Sequence, residues 1–121
     1  MLWVGLGGFL GANARYLLGG WVVSRLGVGF PYGTYVINVS GSFILGFFLA
    51  FAQDRAWISP SVRLLFAVGF VGAYTTFSTF EYESVRLLQD GELVLGAAYL
   101  IGSVVTGAVA LFAGIALGAR I

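Results

Sequence analysis

Gly69-Phe70-Val71-Gly72-Ala73-Tyr74-Thr75-Thr76-Phe77-Ser78-Thr79-Phe80 lies in the middle of a long apolar segment, where a helix is expected to run without interruption. It packs two glycines, a threonine pair and a serine into one short run. Glycine and β-branched threonine both weaken a helix locally. In lipid, a freed backbone carbonyl costs several kcal/mol unless something binds it. A break at this depth therefore needs a partner, and an ion is a physically sensible one. The plainer reading is a glycine kink with threonine hydroxyls bonded back to their own helix.

The membrane setting follows from composition. Of 121 residues, 60% are hydrophobic and only 9% charged, with a mean hydropathy of +0.98. A soluble domain carries about 25% charged residues. A spanning helix needs about 20 apolar residues. The length thus suits an all-α membrane protein of four spans with short loops, one domain over residues 1–121. There is no Cys, which excludes disulfides and thiolate metal sites. There is no His, which removes the usual general base and the commonest transition-metal ligand, so an intramembrane Ser–His hydrolase is not available. A net charge of +1 supplies no basic tail for nucleic acid. The start, Met1-Leu2-Trp3-Val4, lacks a basic n-region and reads as the beginning of the first span.

Four spans are expected, at roughly Leu2–Ser24, Thr34–Gln53, Val62–Leu88 and Leu93–Leu117. In the first, Gly7 and Gly11 are four apart, as are Gly8 and Ala12, a spacing that lets two helices approach closely. Arg15 is its only charge, and a charge at membrane depth faces a partner, water or the interface. Pro31 sets the chain before the second span. There Thr34, Asn38 and Ser42 recur every four residues and share one face. Asn38 either bonds to a neighbouring helix or turns its amide into a water-filled path. Trp57 suits an interface, and Asp90-Gly91 marks a tight turn.

Past the break, Phe77, Phe80 and Glu83 follow at three-residue steps, reading aromatic, aromatic, acid along one face. Two Phe at this spacing are ordinarily core. In the last span, Tyr99, Ser103 and Thr106 form a narrow hydroxyl stripe, and Gly114 and Gly118 form a second small-residue pair. The loop between spans two and three and the C-terminus carry Arg55, Arg63 and Arg120, while the other side carries Arg25 and Arg86. With Arg15 set aside, three against two gives almost no preferred orientation. No internal repeat is visible, so transport symmetry has to come from a second copy.

These residues carry a resemblance. The runs Gly7-Gly8-Phe9-Leu10-Gly11-Ala12-Asn13-Ala14-Arg15-Tyr16, Gly33-Thr34-Tyr35-Val36-Ile37-Asn38-Val39-Ser40-Gly41-Ser42-Phe43 and Gly69 to Phe80, in this order, resemble the Fluc (CrcB) fluoride ion channels over the whole chain. The resemblance implies an antiparallel, dual-topology homodimer with a broken third helix and two fluoride pores. It implies a structural Na⁺ at the dimer centre, held by main-chain carbonyls that by position are those of Gly72 and Thr75. It implies that Phe77 and Phe80 line the pores beside Asn38, with Ser78 and Thr79 next to them, and that Thr34, Tyr99 and Ser103 form a polar track. Arg15 and Glu83 match vestibule residues. One departure is visible. The family track often has a further hydroxyl where this chain has Gly107, and Thr106 is rotated from that position by about 100°.

The donor chemistry agrees. Fluoride is small and strongly hydrated, so a site must replace its water with amide, hydroxyl and positive ring-edge donors. A lone strong cation in the pore would hold the ion too tightly to release it. A small multidrug-resistance-type, proton-coupled exporter also has four short spans, but needs a carboxylate in the first span. The first acid here is Asp54. A non-transporting assembly subunit fits the glycine pairs equally well but has no use for aligned polar stripes.

Overall fold

The computed structural model describes all 121 residues, and every regular element is helical. Helix α1 spans Leu2–Leu26 and α2 spans Tyr32–Ala52. The third run begins with a short α3, Pro60–Arg63, capped by Ser59, whose hydroxyl accepts the Val62 N–H at 3.3 Å. It continues as a π-helical stretch, Leu64–Val71, and a single turn, α4, Gly72–Tyr74. After an interruption, α5 covers Phe77–Gln89, and α6 covers Leu93–Arg120.

Three runs are long and apolar enough to cross a membrane: Tyr32–Ala52, Pro60–Gln89 and Leu93–Arg120. Helix α1 has the length, at 25 residues, but six glycines, Asn13 and Arg15 keep it less apolar. Only 19 of the 121 residues are buried, so the chain presents its large apolar side chains outward, as a multi-pass membrane protein does.

Glycines set the helix spacing. A Cβ on Gly7 would lie 1.9 Å from the Leu65 carbonyl oxygen, and one on Gly11 would lie 2.1 Å from that of Phe70. Helix α1 therefore rests backbone-to-backbone on the π-helical stretch. On the other flank, a Cβ on Gly114 or Gly118 would fall 2.2 or 2.4 Å from the carbonyl oxygens of Phe43 and Phe47, so α6 lies equally close to α2. The Asp90-Gly91 turn is present, with Gly91 at φ 82° and the Glu92 N–H bonded to the Leu87 carbonyl at 2.9 Å.

The third run departs from expectation in one respect. Its first half is π-helical, a geometry that is rare and concentrates at functional sites. Phe66, Phe70 and Tyr74 stack along it, with centroids 5.6 and 5.8 Å apart. The break lies inside the expected stretch, at its threonine pair, while the glycines beside it stay helical. Gly72 is helical, at φ −60° and ψ −37°, and Gly69 serves close approach to α1, since a Cβ there would meet the Val4 carbonyl at 2.6 Å. The extended residues are Thr75 (φ −81°, ψ 159°) and Thr76 (φ −148°, ψ 120°).

Candidate functional site

The break is built by two side chains that take helical donors away from their usual acceptors. In a continuous helix the Thr76 N–H would bond to the Gly72 carbonyl. Here it donates to Asn38 Oδ1 at 2.8 Å. The Asn38 amide completes the pair by donating through Nδ2 to the Thr76 carbonyl at 2.9 Å. The Thr79 N–H would likewise reach the Thr75 carbonyl, but it donates to Thr76 Oγ1 at 3.3 Å, which caps α5. The carbonyls of Gly72 and Thr75 therefore lose their helical partners. The Thr75 hydroxyl does bond back to its own helix, donating to the Val71 carbonyl at 3.0 Å, as the plainer reading expected. That bond accompanies the break without causing it.

Two open clefts meet at Thr76. The smaller, about 260 Å³, is lined by Asn38, Ser42, Leu45, Thr75 and Phe77 among others. The larger, about 630 Å³, gathers Arg15, Thr34, Thr79, Glu83 and Arg86. Of the residues singled out from the sequence, Asn38, Thr75 and Phe77 thus share one cleft, and Arg15, Thr34, Thr79 and Glu83 share the other. Gly72 and Ser78 are exposed on the outer surface of the protomer and line neither.

The two phenylalanines do not turn the same way within the protomer. Phe80 is buried, its ring tilted against that of Tyr99 at 5.1 Å and 64°. Phe77 is 70% exposed, 6.1 Å from Phe80 between centroids. Helix α6 covers the side of α5 that carries Phe80, while Phe77 opens the helix at the uncovered edge of the break. Phe30 adds a second edge contact to Tyr99 at 5.3 Å, which sequence spacing gave no reason to expect. Tyr99 itself is buried and donates its hydroxyl to Glu83 Oε1 at 2.9 Å, joining the polar stripe of α6 to the acid of the larger cleft.

Ser103 lies one turn further along. Its Oγ is buried and has no hydrogen-bond partner in the chain. Leaving a hydroxyl so costs about 1–3 kcal/mol. Thr106 does not extend the stripe, because its hydroxyl bonds back to the Gly102 carbonyl at 2.6 Å. Gly107 does face α2: a Cβ there would sit 3.7 Å from Ser42 Oγ. The Ser42 hydroxyl in turn donates to the Asn38 carbonyl at 2.8 Å.

Comparison with known proteins places this arrangement in context. Residues 2–115 match the family described as CrcB-like protein, Camphor Resistance (CrcB). The chain is similar to a fluoride-specific ion channel FluC from Acidobacterium capsulatum, 48% identical over 120 residues, covering 99% of this chain and 96% of the relative. It is also similar to proteins of the same description from Chlorobium phaeobacteroides, 44% identical over 117 residues, and Trichormus variabilis, 48% identical over 116. Those alignments cover 97% and 95% of this chain, and 91% and 85% of the relatives.

Proposed function

The chain belongs to the CrcB-like family of ion channels, not enzymes, and from that premise we propose that it conducts fluoride passively across the membrane as an antiparallel homodimer with two pores. The single observation that carries the reading is the bracket of Asn38 on Thr76, which breaks the third run beside an open cleft. A packing glycine kink needs no such bracket. The relatives' description as fluoride-specific channels supplies the ion.

In this reading all four long helical runs span the bilayer, α1 being carried by its close packing on the third. Fluoride enters the larger cleft past Arg15 and Glu83. It then exchanges water for the amide of Asn38, the hydroxyls of Thr34, Ser78, Thr79 and Ser103, that of Tyr99 once it turns from Glu83, and the ring edges of Phe77 and Phe80. Neutral donors and ring edges bind weakly enough to let the ion go. The second copy covers what one protomer leaves open: Phe77, Ser78 and Gly72 are exposed in the single chain.

A structural sodium ion fits the break. Gly72 and Thr75 offer carbonyl oxygens whose helical donors are engaged elsewhere, and a hard cation takes oxygen ligands. Bound there, the ion supplies positive charge to carbonyls that lipid would leave unsatisfied. Two protomers contribute four such oxygens.

The test is flux from liposomes. Purified protein is expected to release trapped fluoride, read by a fluoride electrode, without an imposed proton gradient and far faster than chloride. No fluoride release from correctly assembled protein would end the channel assignment for this chain, and release only with a proton gradient would indicate coupled exchange.

A further inference from the structure

One side chain both lines the smaller cleft and holds the break. The Asn38 amide has two N–H groups. One is held by the Thr76 carbonyl, and the other has no partner in the chain and belongs to a residue lining the smaller cleft. The amide oxygen of the same residue is what keeps the Thr76 N–H away from the Gly72 carbonyl. We propose that Asn38 is a latch on the broken helix, and that it links the cation taken by the freed carbonyls thermodynamically to the anion taken by the cleft. The inference rests on the fluoride-channel reading and adds a coupling between its two ions.

The argument needs two states. In the latched state, Asn38 holds both polar groups of Thr76, the chain is extended at Thr75–Thr76, and the Gly72 carbonyl is open. In the unlatched state, Asn38 swings away and the Thr76 N–H returns to its helical acceptor. A hard cation on the carbonyls prefers the first state, because the second removes an oxygen ligand. An anion on the spare N–H also prefers the first, because that N–H faces the cleft only while its twin is held by Thr76. Ligands that favour one state raise each other's affinity, and by the same factor. Thr76 Oγ1 secures the other carbonyl by holding the Thr79 N–H, so Asn38 governs the Gly72 carbonyl in particular.

The experiment reads thermal unfolding of the purified, detergent-solubilised dimer as sodium replaces N-methyl-D-glucamine at constant ionic strength. Wild type is expected to be stabilised by sodium, with the sodium concentration for half the effect at least about fivefold lower in fluoride than in chloride. Equal midpoints in the two halides overturn the linkage and leave the channel reading untouched. Asn38→Ala is expected to lose both the sodium shift and the halide difference. Asn38→Asp keeps an acceptor for the Thr76 N–H but has no spare donor, so it is expected to retain a sodium shift without the halide difference. Phe77→Ile, which leaves both Asn38–Thr76 hydrogen bonds in place, is expected to keep the sodium shift while flux falls. A wild-type sodium shift in Asn38→Ala overturns the latch. If the Asn38 variants do not assemble, the wild-type halide comparison still decides the inference. Absence of any sodium effect on wild type overturns it together with the cation assignment, while fluoride flux remains a separate measurement.

Discussion

Phe80 and Phe77 have the same side chain in opposite surroundings, and this separates what their substitution does. Phe80 is buried with an edge contact to Tyr99. Such aromatic pairs contribute about 0.5–1.5 kcal/mol beyond the area they bury. Phe80→Ile is therefore expected to lower both the unfolding temperature and fluoride flux. Phe77 is 70% exposed in the protomer, so its own chain gains little from its ring. Phe77→Ile is expected to reduce flux with little change in unfolding temperature, measured on the same preparations. Unimpaired flux in both variants would return the rings to a packing role. Three-residue spacing in the sequence put both side chains on one face of the helix, yet in the protomer one ring is buried and the other exposed. The spacing did not show that α6 closes over one of them, because that contact is made with a residue on another helix.

At the scale of elements, close backbone packing dominates. Gly11 faces the Phe70 carbonyl, whereas Gly5 has nothing within 4 Å of an added Cβ. Gly11→Val is expected to abolish the assembled dimer on size exclusion in detergent. Gly5→Ala is expected to leave assembly intact and to favour α1 slightly, since alanine exceeds glycine in helix propensity by about 1 kcal/mol. Equal behaviour of the two would deny the close α1 contact. The small-residue pairs on α1 and α6 were legible because four-residue spacing is a local signal, as was the Asp90-Gly91 turn. The break was legible as a stretch whose threonine pair precedes Phe77, but its partner was not: Asn38, which holds Thr76, is 38 residues from it in sequence. No window along the chain contains both partners. The π-helical stretch was missed as well, and its only outward sign was the four-residue ladder of Phe66, Phe70 and Tyr74.

For the whole molecule, the charge count bears on orientation. Arg25 and Arg86 lie on one side, against Arg55, Arg63 and Arg120 on the other, while Arg15 sits midway along α1 in the larger cleft. Three against two is close to balance, and orientation follows such charge bias. Tags at the C-terminus are expected on both membrane faces in similar amounts when probed by accessibility in intact cells and in inverted vesicles. A single orientation would rule out the antiparallel homodimer. The approximate limits of the long helical runs were legible from apolar run length, and three of those runs are apolar enough to cross a membrane. A surface for a second copy was not legible, because in one chain such residues look the same as lipid-facing ones.

The break also has an electrical meaning. An intact helix has its poles at its two ends, worth about half an elementary charge each. Interrupting the 30-residue Pro60–Gln89 run at Thr75–Thr76 creates two new poles near its middle. The carbonyl end of α4 is negative, and the amide end of α5, at Phe77, is positive. One cut thus provides attraction for a cation and for an anion a few ångströms apart, with no ionised side chain at either place. Peptide dipoles do not titrate, so neither pole can be switched off by a proton.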